Sequence, residues 1–443
     1  MENLSAELRV VDGGHDWDVW GPTFVEGAKY IFRFLDKAPV TPLKATLIGT
    51  AQEERAGGVA VDSTGNVYQA VAAGGSVAGQ PYVGDKDLVL VKDSPSGTRL
   101  WTRELGTARL ERAYGVAIDP AGDIVVTGYT NGDLDGSHPG NTTDDVFVVK
   151  FDPAGNREWL RQFGVPAAAD RGYAIATDAL SNVYVTGYTR GNLGATNAGD
   201  KDVYLAKLAP GGAQLWLVQF GSAGEDKAWG VPATGDGVRL GGMTSGALGT
   251  PAGALDGWVA RYDADGKRAW LQQFGTAANE EVWGLTADAG GSTYVAGYTA
   301  GNFDGSLAGD KDMIAAQFDA GGAMTWSDQL GTDLNDKAAA VRLDGAGSLY
   351  VAGFSDGSVG TNVGKFDAVL VKYAPDKSRE WVRQFGTTED DAADAFAEAN
   401  LYLDARAGSI YVSGLTLGGV QGQSQLGLGD VFLARFDALG ANG

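Results

Sequence analysis

Seven times along the chain a large apolar residue is followed by glycine at nearly constant spacing. The pairs are Ile48-Gly49, Leu105-Gly106, Phe163-Gly164, Phe220-Gly221, Phe274-Gly275, Leu330-Gly331 and Phe385-Gly386. Successive glycines lie 57, 58, 57, 54, 56 and 55 residues apart, and 57 more reach Gly443. A period of this length signals one supersecondary unit repeated, each copy too small to bury its apolar face alone. The chain must therefore fold as a ring or stack of units rather than as a string of independent domains.

Each unit carries four strand-like runs. In the unit after Phe163-Gly164 they read "GYAIATD", "NVYVTGYT", "DVYLAKL" and "WLVQFG". Short Gly/Asp/Pro segments such as "DPAGN" and "DADGK" separate the third run from the fourth, and similar segments separate the first from the second, which is hairpin chemistry. The 68 glycines and abundant Val, Tyr, Phe and Trp fit an all-β chain. Four antiparallel strands repeated seven times predict a seven-bladed β-propeller, which protects its strand edges by radial repetition. Trp101, Trp159, Trp216, Trp270, Trp326 and Trp381 each stand five residues before the glycine that ends their unit, an independent check on the alignment. The last unit stops after its third strand, and the segment 44–49 holds a fourth-strand sequence before the first unit. The ring is expected to close by that N-terminal strand completing the seventh blade. The domains are then an N-terminal extension (1–43), read as a cap, extra strands or a linker, and the propeller (44–443).

The recurring pattern "GVAID..G...VTGYT" followed by "GDKDVFLAK.D..G...W..QFG" resembles the SBBP-type β-propeller repeat of bacterial secreted and surface proteins. The resemblance runs through all seven units. It implies the fold and an extracellular or envelope location, but no reaction, because such a repeat is a scaffold.

Composition narrows the chemistry. There is no cysteine, which removes disulfides and thiolate ligands. The 34 basic and 56 acidic residues give a net charge of −22, which argues against nucleic acid and anionic membranes as partners. No apolar run reaches the ~18 residues of a membrane span, and the N-terminal segment lacks a signal-peptide pattern, so membrane insertion is not expected and an exported form would have lost its signal. His15 and His138 are the only histidines, and the sequence places them in unrelated segments, so triads and multi-histidine metal sites are not expected.

Carboxylates remain. An Asp opens every third strand (Asp87, Asp145, Asp202, Asp256, Asp312, Asp367, Asp430) and is expected to serve as a turn ligand. A second acid follows every glycine pair: Glu54, Glu111, Asp170, Asp226, Glu280, Asp336 and Asp391, with a base directly after it in five units. These are expected to form an ion-pair belt on the face that also carries the long second-to-third-strand loops. Two of those loops, "NGDLDGS" and "GNFDGS", space Asn131, Asp133 and Asp135, and Asn302 and Asp304, in the manner of half a calcium loop. No cofactor is required on this reading, and Ca2+ is the candidate ion.

Just beyond the second acid, four consecutive units carry Tyr114, Tyr173, Trp229 and Trp283, whereas the others have Gly57, Ala339 and Asp394. This position lies at the start of the innermost strand. Packing between blades is one reading. The other is a ligand site at the channel mouth, with Asp226 and Glu280 beside the rings, for a protein or glycan at the cell surface. The expectation is a non-catalytic binding or structural module. The alternatives are a carbohydrate-active enzyme using paired carboxylates, such as Asp226 with Glu280, and an architectural surface-layer component.

Overall fold

The computed structural model describes residues 44–305, 307–391, 401–406 and 408–438. The N-terminal extension expected at 1–43 lies outside the described residues. The rest is a ring of seven antiparallel sheets. Strand β1 (Lys44–Ile48) stands first in the chain. Blade 1 comprises β2 (Glu54–Val61), β3 (Val67–Ala73), β4 (Asp87–Asp93) and β5 (Arg99–Leu105). Blade 2 comprises β6 (Glu111–Ile118), β7 (Ile124–Thr130), β8 (Asp145–Phe151) and β9 (Arg157–Phe163). Blades 3 to 6 follow over 170–220 (β10 to β13), 226–274 (β14 to β18), 280–330 (β19 to β22) and 336–385 (β23 to β26). Blade 7 holds β27 (Tyr402–Arg406), β28 (Ser409–Thr416) and β29 (Asp430–Asp437).

The closure expected from the sequence is present. β1 pairs antiparallel with β29, from Lys44 opposite Arg435 to Ile48 opposite Val431, and completes the seventh sheet as its outer strand. Blade 4 alone has five strands: its inner strand stops at Gly230 and pairing resumes at Ala233–Thr234, because the intervening Pro232 has no N–H for the ladder.

Two repeated devices explain the spacing that the sequence displays. Trp101, Trp159, Trp216 and Trp270 donate their indole N–H to Pro153, Pro210, Ala264 and Ala320, carbonyls in the hairpin turn of the next blade, at 3.3, 2.8, 3.1 and 3.0 Å. Each tryptophan thus ties its blade to its neighbour at one end of the ring. At the other end the glycine of each pair lies against the Asp that opens the third strand. A Cβ on Gly221 would sit 2.1 Å from Asp202 Oδ1, so only glycine lets the carboxylate reach in. Hairpin turns between first and second strands are closed by Asp side chains, as where Asp119 Oδ1 accepts N–H bonds from Ala121 and Asp123.

Candidate functional site

In an antiparallel blade the loop from second to third strand leaves at the end where the inner strand begins. Glu111 pairs with Thr130 and Thr130 with Asp145, so all three lie at the loop end of blade 2. The inner strands surround a channel with a cavity of about 320 Å³, lined among others by Tyr114, Tyr173, Trp229, Trp283 and Arg342.

The aromatic arc arises from a backbone irregularity. Pairing between the first two strands skips one residue at Tyr114, Tyr173, Trp229 and Trp283, so each is the extra residue of a β-bulge. A bulge re-aims its side chain, here toward the centre of the ring. The rings touch: Tyr114 meets Tyr173 edge-on at 4.9 Å, and Tyr173 stacks on Trp229 at 4.1 Å. Trp283 meets Tyr298 at 5.5 Å. All four are 9% exposed or less, so they fill space between blades while their edges line the cavity. Cations cover them: Arg112 lies over Tyr114 and Lys227 over Trp229, while Lys337 lies over Trp283, Tyr298 and Phe354. The Trp283 N–H is taken by Glu281, whereas the buried Trp229 N–H has no acceptor among the described residues.

The second acids do not form the expected belt. Asp226 and Glu280 are fully buried. Asp226 Oδ2 accepts the N–H and hydroxyl of Ser222, and Glu280 accepts the N–H and hydroxyl of Thr276 together with the Thr299 hydroxyl. Each acid clamps the loop that precedes it. Burial, with Asp202 nearby, pushes the Asp226 carboxyl above its ordinary value. The bases pair instead with other acids: Arg55 and Lys86 with Glu53, Arg171 with Asp144, Lys227 with Glu225. The acid at these positions points inward and the following base outward, because neighbouring residues of a strand face opposite sides.

The loop between β7 and β8 gathers different chemistry. Ligand atoms of Asp133, Asp135 and His138 lie within 4.8 Å of one another, the one such group of three among the described residues. Asp133 Oδ1 accepts the His138 N–H at 3.0 Å. His138 Nδ1 stands 3.6 Å from Asp135 Oδ1 and 2.8 Å from the Ser137 hydroxyl, and its Nε2 is 3.9 Å from Asp145 Oδ2. Burial works against the Asp135 charge, but the Ser137 hydroxyl and N–H and the Gln162 N–H hold its carboxyl below the ordinary value. Asn131 is not part of this group, since its side chain accepts the Leu110 N–H. In blade 5, Asn302 accepts the Leu307 N–H, and Asp304 meets Gln329 through its backbone. His138 was set aside from sequence as a lone histidine. Its signal is the spacing Asp133-x-Asp135-x-x-His138, which no other unit has.

The non-catalytic expectation is corrected by this loop. It rested on histidines too scattered to act and on acids equivalent in every blade. The structure instead places His138 beside two carboxylates in blade 2 alone.

A family profile described as "Beta-propeller repeat" (SBBP) matches residues 100–135 and 158–194. The chain is 27% identical over 302 residues, 58% of its length, to "Regulatory protein FlaEY" of Caulobacter vibrioides, and it spans 31% of that protein. Among solved structures it resembles a puromycin hydrolase (TM-score 0.49, 14% identity, 91% of this chain and 54% of the other). It also resembles the propeller domain of the Trilobed protease of Pyrococcus furiosus (0.46, 8%, 88% and 96%). A third likeness is to the gluconolactonase XC5397 of Xanthomonas campestris (0.38, 14%, 72% and 95%). These likenesses concern the fold alone. Among the described residues no helix is long and apolar enough to cross a membrane.

Proposed function

We propose that this chain is a bacterial propeller of the SBBP repeat type, working in the envelope or outside the cell, whose loop face hydrolyses a carbohydrate. The convergence of Asp133, Asp135 and His138 in one blade carries this reading. Two carboxylates and an imidazole are a donor set suited to a divalent ion such as Ca2+, Mn2+ or Zn2+. Asp133, Asp135 and His138 would hold such an ion, and it would supply water activation by lowering the pKa of a bound water. The chain's own residues do the positioning: Ser137 and Gln162 fix Asp135, while Ser137 and Asp145 flank the His138 ring. Tyr114, Tyr173, Trp229 and Trp283 offer ring edges along the cavity for a sugar, and Asp226 and Glu280 clamp the loops that lead into the strands of Trp229 and Trp283.

The test is turnover of a panel of glycans, lactones and esters by the full chain, after chelation and after addition of Ca2+, Mn2+ or Zn2+. Turnover is expected to need one of these ions and to fall at least about 100-fold in D135N and in H138A, with melting unchanged. Absence of turnover on every substrate class, or full activity in both variants, overturns the reading.

A further inference from the structure

Five blades share a clasp that the sequence shows as the glutamine of "QFG" or "QLG". Gln162, Gln219, Gln273, Gln329 and Gln384 each donate Nε2 to the Asp that opens the third strand, at 2.9, 3.0, 2.7, 2.8 and 3.3 Å. The same Nε2 donates to a loop carbonyl, that of Gly132, Gly191, Gly246, Gly301 or Gly357. An amide is required there, because both neighbours are acceptors.

Blade 1 has Glu104 at this place. Its register is the same: Val89 pairs with Glu104 as Phe147 pairs with Gln162. A carboxylate therefore faces the Asp87 carboxylate where five blades put an N–H. Asp87 is fully buried; its Oδ2 accepts the Val83 N–H, and its Oδ1 has no hydrogen-bond partner. Both Glu104 oxygens are sealed from solvent and find no N–H or hydroxyl donor; the one group they meet is the Asp87 carboxyl itself. A bare Oδ1 also occurs at Asp312, Asp367 and Asp430, and at Asp170, Asp226 and Asp336 among the second acids, but among the described residues a carboxylate with both oxygens bare is found in blade 1 only. Among the described residues no basic side chain acts on Glu104; the charge that acts on it is that of Asp87.

Two buried carboxylates in contact without a cation are strongly unfavourable. One shared proton would satisfy one contact and leave the remaining oxygens bare. A hard cation satisfies three oxygens at once and restores the positive partner that the amide supplies elsewhere. We propose that Asp87 and Glu104 form a cation site in blade 1, taking a divalent ion of the calcium type. The carbonyl of Gly75 stands where the glutamine-bound glycine carbonyls stand in other blades: Gly75 follows Ala73, the partner of Asp87, by two residues, as Gly132 follows Thr130, the partner of Asp145. The site ties the outer strand of the blade to its third strand and loop. It is independent of the Asp133, Asp135 and His138 group.

The experiment compares thermal melting of the chelated full chain with and without Ca2+ (about 1 mM, in excess over a sensor-type affinity), with Mg2+ in parallel, for wild type, E104Q, D133N and the double variant. In the D133N background, where the blade 2 group is disabled, Ca2+ is expected to raise the melting temperature by several degrees, and adding E104Q to D133N is expected to abolish that shift. E104Q should melt above chelated wild type, because it installs the clasp of the other blades. An equal Ca2+ shift in D133N and in the double variant overturns the site. So does a wild type that ignores Ca2+; stability lost as pH rises would then assign the Glu104–Asp87 contact to a shared proton, as expected of a carboxyl raised by burial and by Asp87.

Discussion

The two ends of the propeller obey different rules. At the turn end, four consecutive tryptophans make the same indole-to-carbonyl bond to the next blade, each acceptor lying 48 to 52 residues beyond its tryptophan. At the loop end Asp and Gly meet in every blade and Gln completes the clasp in blades 2 to 6, but what is mounted there changes. Blade 1 has Glu104 in the clasp, blade 2 carries Asp133, Asp135 and His138, and blades 2 to 5 present bulged aromatic residues. Repetition marks what the ring needs to stand. Departure from repetition at the loop end marks where this chain differs from a bare scaffold.

The sharpest way to break this division is to remove closure, which serves both ends at once. Deleting residues 44–48 strips the outer strand from blade 7 and exposes the edge of β29, along with the apolar surface that Ala45 and Ile48 cover. The melting temperature should fall by more than about 10 °C or the transition should lose cooperativity, as for loss of a strand from a closed sheet. Unchanged calorimetric melting would mean that the ring does not depend on this strand.

A smaller change separates the two ends inside one blade. At the loop end, G221A would place a methyl group 2.1 Å from Asp202 Oδ1 and 3.1 Å from Asp226 Oδ2. That clash should cost about 2–3 kcal/mol in urea unfolding. At the turn end of the same blade Gly211 has nothing within 4 Å of a Cβ, and G211A should stay within about 0.5 kcal/mol of wild type. Equal effects would show that the glycine pair is a spacer and not a close-approach site.

The sequence reveals the parts that repeat. Strand number, blade boundaries and the closing strand follow from the glycine period, since a unit that recurs seven times is its own alignment. The environment of a single side chain follows less well. An acid followed by a base, as in Asp170-Arg171, reads as a surface ion pair, yet Asp170 is buried and Arg171 reaches Asp144. Strand alternation turns the two side chains to opposite sides, and the motif alone does not say which side is solvent. The bulges are hidden for a similar reason, because one extra residue in the inner strand leaves the period unchanged. Glu104 and His138 were visible as letters. Their meaning appears only against the glutamines and loop neighbours that the fold sets around them.

The smallest expected effect tests the buried second acids, which clamp the loops before the inner strands. Asp170 is fully buried, and burial, together with Asp145 and Asp144, pushes its carboxyl up to about 6. Its Oδ2 nevertheless accepts the Val165 N–H, so the side chain is structural in either charge state. A carboxyl raised in the folded state adds stability below its unfolded value and gives that stability up as pH climbs through the folded value. Wild type should therefore lose about 2 kcal/mol from this residue between about pH 4 and pH 7. D170N keeps an acceptor for Val165 but cannot ionise, so its urea-unfolding stability should decline less over the same interval. Parallel pH profiles would mean that Asp170 carries its charge without cost and that the clamp holds an ion or a donor beyond those named here. A steeper wild-type profile would place the cost of the scaffold in the same buried carboxylates that fix its loops, and would explain why blade 1, with two such groups in contact, departs from the others.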